Sequence, residues 1–266
     1  VNVIPKKGFN SFYAVFAADY GGAKRKFTIG KETFDTPAGV AHYLEHKMFD
    51  MPDGDNALTV LTNNGADPNA FTSSDMTAYY FQCTDKFEEN LRLLLRFVST
   101  PYFTDETVEK ERGIIAQEIL MGEDNPGMKI YYNLLGLLYD HHPVKDRVAG
   151  SVESIAEITA DTLYKCHRAF YCPDNMALCV EGDVDPERIM QIVEEEITEP
   201  YRTAPTADYG KAEKLMPVGT VKRETMPVSA PQFLIGAKVK PEKNGRALLR
   251  QDLVSALAMR MLAGQS

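Results

Sequence analysis

Apolar and polar residues follow two different periods along the chain. Alternation at every second residue predicts strands, near residues 1–4, 12–18, 25–29, 67–72, 77–84 and 175–181. Apolar residues three or four positions apart predict helices, near residues 37–49, 56–61, 87–99, 104–121, 128–140, 151–155, 160–170 and 185–197. Thr36 is predicted to cap the first of these helices, with Pro37 at its first helical position.

A polar, proline-rich stretch interrupts this pattern at residues 201–217, and we interpret it as a linker. Two further strands and a helix are predicted beyond it, at 218–225, 232–238 and 246–262. This order of elements is the same as at the start of the chain, which suggests a repeat. The sequence therefore predicts a domain over residues 1–200 and the start of a second, truncated homologous domain over residues 218–266.

Composition and charge are those of an ordinary globular protein. The chain has 266 residues, of which 44% are hydrophobic and 25% charged, so it can bury a core. Its net charge is −9, which disfavours nucleic acid and anionic lipid as partners. No apolar run is long enough to cross a bilayer. We therefore expect neither a nucleic-acid partner nor a membrane.

The four cysteines form no C-x-x-C pair, and we expect them to be reduced thiols. Cys166 and Cys172 could hold a metal, but their spacing is a weak signal. Reduced thiols favour a cytoplasmic location. The chain begins with Val1, so we expect the natural N-terminus to be missing, and the sequence gives no indication about export.

The strongest chemical signal is an H-x-x-E-H pattern in the first predicted helix, formed by His42, Glu45 and His46. At about 100° per residue, the two histidines lie about 40° apart on one helix face, where two imidazoles can bind one zinc ion. Glu45 lies about 60° away on the other side of His42, so it can reach a water on the metal without being a ligand. A chance pairing on a surface helix is the alternative, but such polar groups on a half-buried helix need partners.

Catalytic zinc usually takes three protein ligands and leaves one position open for water, so a third ligand is expected. Glu111 and Glu118 are candidates because they lie seven residues apart, on one face of a predicted helix. Apolar residues flank Glu118 and should point it toward protein. The residues alone leave three rivals for this position: His141, His142 and His167.

These motifs together resemble the pitrilysin or insulinase family of zinc metallopeptidases, whose reversed H-x-x-E-H order defines the inverzincins. The pattern at residues 42–46, followed by Glu111-x6-Glu118, carries the resemblance. The stretch from residue 39 to residue 49 is most similar to the bacterial processing-peptidase-like branch. The resemblance implies an α+β fold: a mixed, largely antiparallel sheet covered by helices, which is the repeated half-unit of a clamshell protease.

The resemblance also assigns roles to individual residues. It implies that His42, His46 and Glu118 bind one zinc ion per catalytic domain, and that Glu45 is the base that activates the attacking water. Glu111 would then be a carboxylate that supports the ligands from behind.

A strand beside the zinc is implied to bind substrate, through Asn69, Ala70, Phe71 and Thr72. The physical basis is that an open sheet edge offers unpaired N–H and C=O groups to an extended peptide. An ordinary edge strand with Phe71 in the core is the alternative.

The implied activity is that of a zinc-dependent endopeptidase acting on short or unfolded peptides. The implied partner is a related subunit, in a homodimer or a heterodimer, that supplies a substrate-binding Arg and Tyr; no residue of this sequence can be matched to that pair. A non-catalytic scaffold or partner subunit of the same family is one alternative. A structural zinc domain is another, although such sites favour four ligands rich in cysteine.

Overall fold

The computed structural model describes residues 1–198, 200 and 202–264. Within these residues seven strands form: β1 (Asn2–Pro5), β2 (Phe12–Ala18), β3 (Lys26–Ile29), β4 (Glu32–Asp35), β5 (Asp67–Thr72), β6 (Thr77–Cys83) and β7 (Met176–Gly182). The helices of the same residues are α1 (Val40–Lys47), α2 (Ala57–Asn63), α3 (Phe87–Ser99), α4 (Asp105–Glu123), α5 (Pro126–Leu138), α6 (Val152–Ala156), α7 (Ala160–Phe170), α8 (Pro186–Glu196) and α9 (Gly245–Ala263). None of these helices is both long enough and apolar enough to span a lipid bilayer.

Five of the strands form one sheet in the order β1-β7-β2-β6-β5, and β3 and β4 form a separate hairpin. Only the β1–β7 pair is parallel; the other neighbours in the sheet are antiparallel. Residues of β2 and β6 such as Phe16 and Phe81 are buried in one core cluster together with the helix residues Leu94 and Leu163. The predicted α+β fold, with a mixed and largely antiparallel sheet covered by helices, is confirmed.

The position of α1 is set by its packing against β5, β6, α4 and α7. Its N-cap is Gly39 rather than the predicted Thr36, because Gly39 takes a left-handed φ of 97° and a Cβ there would lie 2.6 Å from the Ala149 carbonyl oxygen. Thr36 instead donates its hydroxyl to the Arg25 carbonyl. The prediction of the cap was therefore wrong: α1 begins after a tightly packed glycine, and no side chain caps it.

The two strands predicted at 218–225 and 232–238 do not form. The first segment runs beside α5, where the Val218 and Gly219 N–H groups donate to the Leu137 carbonyl. In the second segment, Lys238 stands over the Tyr139 ring. A β-strand is stabilised by hydrogen bonds to the backbone of a neighbouring strand. Among the described residues, neither segment pairs with another strand. The helix predicted at 246–262 forms as α9. The division into domains at 1–200, 201–217 and 218–266 stays a prediction.

The burial of His167 is expected to make the free energy of unfolding depend on pH. Its Nε2 lies 3.0 Å from the Val98 carbonyl oxygen, and burial lowers its pKa to about 4. The unfolded chain binds this proton near pH 6.5, so folding stability falls between pH 6.5 and pH 4, by about 3 kcal/mol in total. Urea unfolding across this range measures the loss. The variant His167→Phe should give a flatter curve, and an equally steep one would contradict the assignment.

Candidate metal centre

Helix α1 carries two imidazole rings on one side, and its opposite side is buried in the core. The His42 and His46 rings lie with their centroids 4.6 Å apart, one helical turn from each other. Val40, Tyr43 and Leu44 on the same helix are buried in the core. The apolar side therefore fixes the helix, and the two histidines face out toward α4.

Helix α4 brings Glu118 to the same point. One Glu118 oxygen lies 3.4 Å from His42 Nε2, and the other lies 3.5 Å from His46 Nε2. These separations are long for hydrogen bonds. With one ligand atom from each residue, the three donors lie within 4.8 Å of one another, close to the edge of about 3.4 Å that a tetrahedron around zinc has for metal–ligand bonds of 2.0–2.2 Å. The donor set of two imidazoles and one carboxylate therefore fits zinc in its chemistry and in its spacing.

Glu111 holds the second histidine from behind. Its carboxylate lies 2.9 Å from His46 Nδ1, so the ring has its Nε2 directed at Glu118. Histidines that bind metals commonly donate their other nitrogen to a carboxylate in this way. His42 lacks such support: its Nδ1 is buried and has no hydrogen-bond partner among the described residues.

The electrostatics of this cluster favour a cation. Burial acts to lower the pKa of His46, but the hydrogen bond that the ring donates to Glu111 and the nearby carboxylate charges outweigh it and raise the pKa. The contact with His46 lowers the pKa of Glu111, and the contact with His42 lowers the pKa of Glu118. Both carboxylates are therefore ionised at neutral pH, where they attract a positive ion.

Glu45, on the same helix as the two histidines, is not one of the three donors. Its side chain is buried, at 8% exposure, and its Oε2 accepts a hydrogen bond from the Thr72 hydroxyl. That hydroxyl lies in turn 3.2 Å from the Thr77 hydroxyl. The bond to Thr72 was not predicted, although Thr72 was already assigned to the strand beside the site. Since Thr72 is the last residue of β5, this bond ties the Glu45 carboxylate to the end of that strand.

The rival histidines lie elsewhere. His167 is bonded to the Val98 carbonyl, His142 accepts from the Val144 N–H, and His141 faces Asp140. Within the described part of the chain, the group of His42, His46 and Glu118, with donor atoms within 4.8 Å of one another, is the one able to hold a metal. All four cysteines are free, and Cys166 and Cys172 belong to no such group there.

Strand β5 is an edge strand, as predicted, because it pairs with β6 on one side and ends the sheet on the other. Ala70 and Thr72 face the helices, whereas Asn69 and Phe71 face away. Phe71 is 46% exposed, so the alternative that placed it in the core is wrong. The role of Asn69, Ala70, Phe71 and Thr72 in binding substrate stays a prediction.

Removing the Glu111 carboxylate is expected to weaken zinc binding. In the variant Glu111→Gln, the His46 ring loses the charged acceptor that orients it, so we expect zinc affinity to fall about 10–100-fold. Competition against a fluorescent chelator measures this ratio. Unchanged affinity would show that His46 is oriented by packing alone.

Two family models match adjacent parts of the chain. The model described as Insulinase (Peptidase family M16) matches residues 32–152, and the one described as Peptidase M16 inactive domain matches residues 157–263. The site residues His42, Glu45, His46, Glu111 and Glu118 all lie within the first match. The region matched by the inactive-domain model therefore contributes none of them.

Named relatives and a solved structure agree with these models. An uncharacterized zinc protease of Bacillus subtilis, YmfH, is 44% identical over the whole chain, and one of Mycobacterium leprae is 32% identical over 60% of it. A crystal structure of an M16-like peptidase from Alicyclobacillus acidocaldarius is 38% identical over 82% of the chain, with a TM-score of 0.76. The chain spans 63%, 37% and 52% of these three proteins, respectively.

Proposed function

The chain belongs to the insulinase family of peptidases, family M16, and from this membership we propose that it carries the catalytic zinc site of a metalloendopeptidase acting on short or unfolded peptides. The observation that carries the proposal is the spacing of the donors His42, His46 and Glu118, at 3.4 Å and 3.5 Å across the carboxylate. The names of the relatives, zinc proteases, support the same reading.

Each residue of the site has its own role in the proposed hydrolysis of a peptide bond. His42, His46 and Glu118 would hold zinc, which when bound activates a water and polarises the scissile carbonyl. Glu45 accepts the proton of the attacking water and passes it to the leaving amine. The Thr72 hydroxyl holds the Glu45 carboxylate in place through its hydrogen bond.

We infer that substrate lies along the free edge of β5 as an added strand. The edge leads directly to the site, since Thr72 at its end contacts Glu45. Main-chain hydrogen bonds give such a complex its affinity.

This placement predicts sensitivity to N-methylation of the peptide. A substrate methylated at an amide that faces β5 should lose about 1 kcal/mol or more per missing bond, which is about fivefold or more in kcat/KM. Methylation one residue further along should have little effect, because that amide faces away. Equal effects at both positions would contradict the added strand.

The proposed partner is a second, related half that closes over the site, as another copy or as a different subunit. It would supply the substrate-binding Arg and Tyr for which no residue of this chain is matched. The cytoplasmic location likewise stays a prediction.

Metal analysis tests the proposal against its alternatives. Protein produced from the complete open reading frame should contain one zinc per catalytic domain, with nitrogen and oxygen neighbours in the X-ray absorption spectrum. Sulfur in the first shell would favour a structural zinc domain. Bound zinc without hydrolysis of any peptide would favour the scaffold or partner subunit.

A further inference from the structure

A buried cation lies beside the metal centre and takes no part in the chemistry described above. The side chain of Lys47 is 1% exposed, although lysine is rarely buried unless its charge is paired. Its Nζ pairs with Asp50 Oδ2, just beyond the end of α1, and lies 3.3 Å from the Thr107 carbonyl oxygen of α4. One ammonium group therefore links the end of α1 to the first turns of α4.

Both ends of this link lie next to a residue of the site. Lys47 directly follows His46 in the chain. In an α-helix a carbonyl accepts the N–H four residues later, so the Thr107 carbonyl is the backbone acceptor of Glu111. Glu111 contacts His46 Nδ1 at 2.9 Å. A closed ring of contacts thus runs from His46 through Lys47, Thr107 and Glu111 back to His46.

We propose that Lys47 is a positioning residue of the metal centre, whose ammonium fixes the turn of α4 that carries Glu111 and thereby the orientation of the His46 ring. The inference rests on the proposed function, because the orientation matters for the zinc that His46 would bind. Within the described part of the chain, the Lys47 ammonium bonds to Asp50 and to the Thr107 carbonyl, and not to the zinc donors or to β5.

A second link between the same helices offers a matched control. The Tyr43 hydroxyl, also buried, donates to the Val108 carbonyl oxygen of α4. That carbonyl is the backbone acceptor of Arg112, not of Glu111. The variants Lys47→Met and Tyr43→Phe each remove one α1–α4 hydrogen bond, but only Lys47→Met releases the turn that carries Glu111.

The test measures zinc affinity by chelator competition and the visible spectrum of the cobalt-substituted protein, which reports ligand geometry. We expect Lys47→Met to weaken zinc binding about tenfold or more and to shift the cobalt bands, whereas Tyr43→Phe stays within about twofold of the wild type. Asp50 is 31% exposed, so water can solvate its carboxylate in Lys47→Met. The double variant Lys47→Met/Asp50→Asn removes that charge and should recover thermal stability but not zinc affinity.

Four outcomes would overturn the inference. Wild-type affinity in Lys47→Met, or an equal loss in Tyr43→Phe, would reduce Lys47 to a structural role while leaving the metal centre intact. Recovery of zinc affinity in the double variant would show that the loss came from the unpaired Asp50 alone. A wild-type protein that binds no zinc would overturn the proposed function itself, and the role of Lys47 with it.

Discussion

Replacing Glu45 by glutamine is expected to leave zinc bound and to reduce peptide hydrolysis by about 10²–10⁴-fold, the range that a positioned acid–base group contributes. Glutamine has the same shape and keeps an oxygen to accept the Thr72 hydroxyl, so the packing around α1 is preserved. It cannot take the proton of the attacking water. The loss should therefore appear in kcat, with little change in zinc content.

Two measurements on the same preparation check this prediction. The zinc content per protein is measured by elemental mass spectrometry, and kcat is measured with a fluorogenic peptide substrate. The control is Thr72→Val, which removes the hydroxyl that holds Glu45 and should cost less than Glu45→Gln, since the base itself remains. Wild-type turnover in Glu45→Gln would show that another group moves the proton.

The second large effect is expected for Glu118→Ala, which removes one of three proposed zinc ligands. The two imidazoles that remain leave the carboxylate corner of the tetrahedron empty. Zinc affinity should fall further than in Glu111→Gln, by more than about a hundredfold, because a direct ligand is lost rather than its support. Hydrolysis should be lost with the metal.

A glutamate on the same helix serves as the matched control. Glu109 is 68% exposed and pairs with Arg112, so Glu109→Ala removes a carboxylate of α4 without touching the cluster. We expect it to bind zinc as the wild type does. Equal losses in Glu109→Ala and Glu118→Ala would mean that general charge on α4, not ligation, controls binding.

Much of the candidate site could be predicted from the sequence, because helix periodicity determines which of its residues share a helix face. His42 and His46 share a face in any regular helix, and seven residues place Glu111 and Glu118 on one face of another. That α4 passes close to α1 does not follow from periodicity. The meeting of Glu118 with the histidines came instead from a resemblance between motifs.

What could not be predicted depends on contacts between distant segments. Helix α1 begins after Gly39, which packs against the Ala149 carbonyl more than a hundred residues away. That contact leaves no signal in the local sequence, from which Thr36 was the predicted cap. The strands expected at 218–225 and 232–238 have the right alternation but no neighbouring strand in the described residues. The burial of Lys47 is equally invisible in the sequence, because nothing in the residues around His46 indicates that the lysine after it is buried.

The measurement that tests the central claim most directly is cleavage of an unstructured peptide library by the protein from the complete open reading frame, followed by mass spectrometry. We predict cleavage that a zinc chelator abolishes and that added zinc restores. Cleavage that persists after zinc is removed would contradict the account, and so would an intact library in the presence of fully zinc-loaded protein and its co-purifying partners.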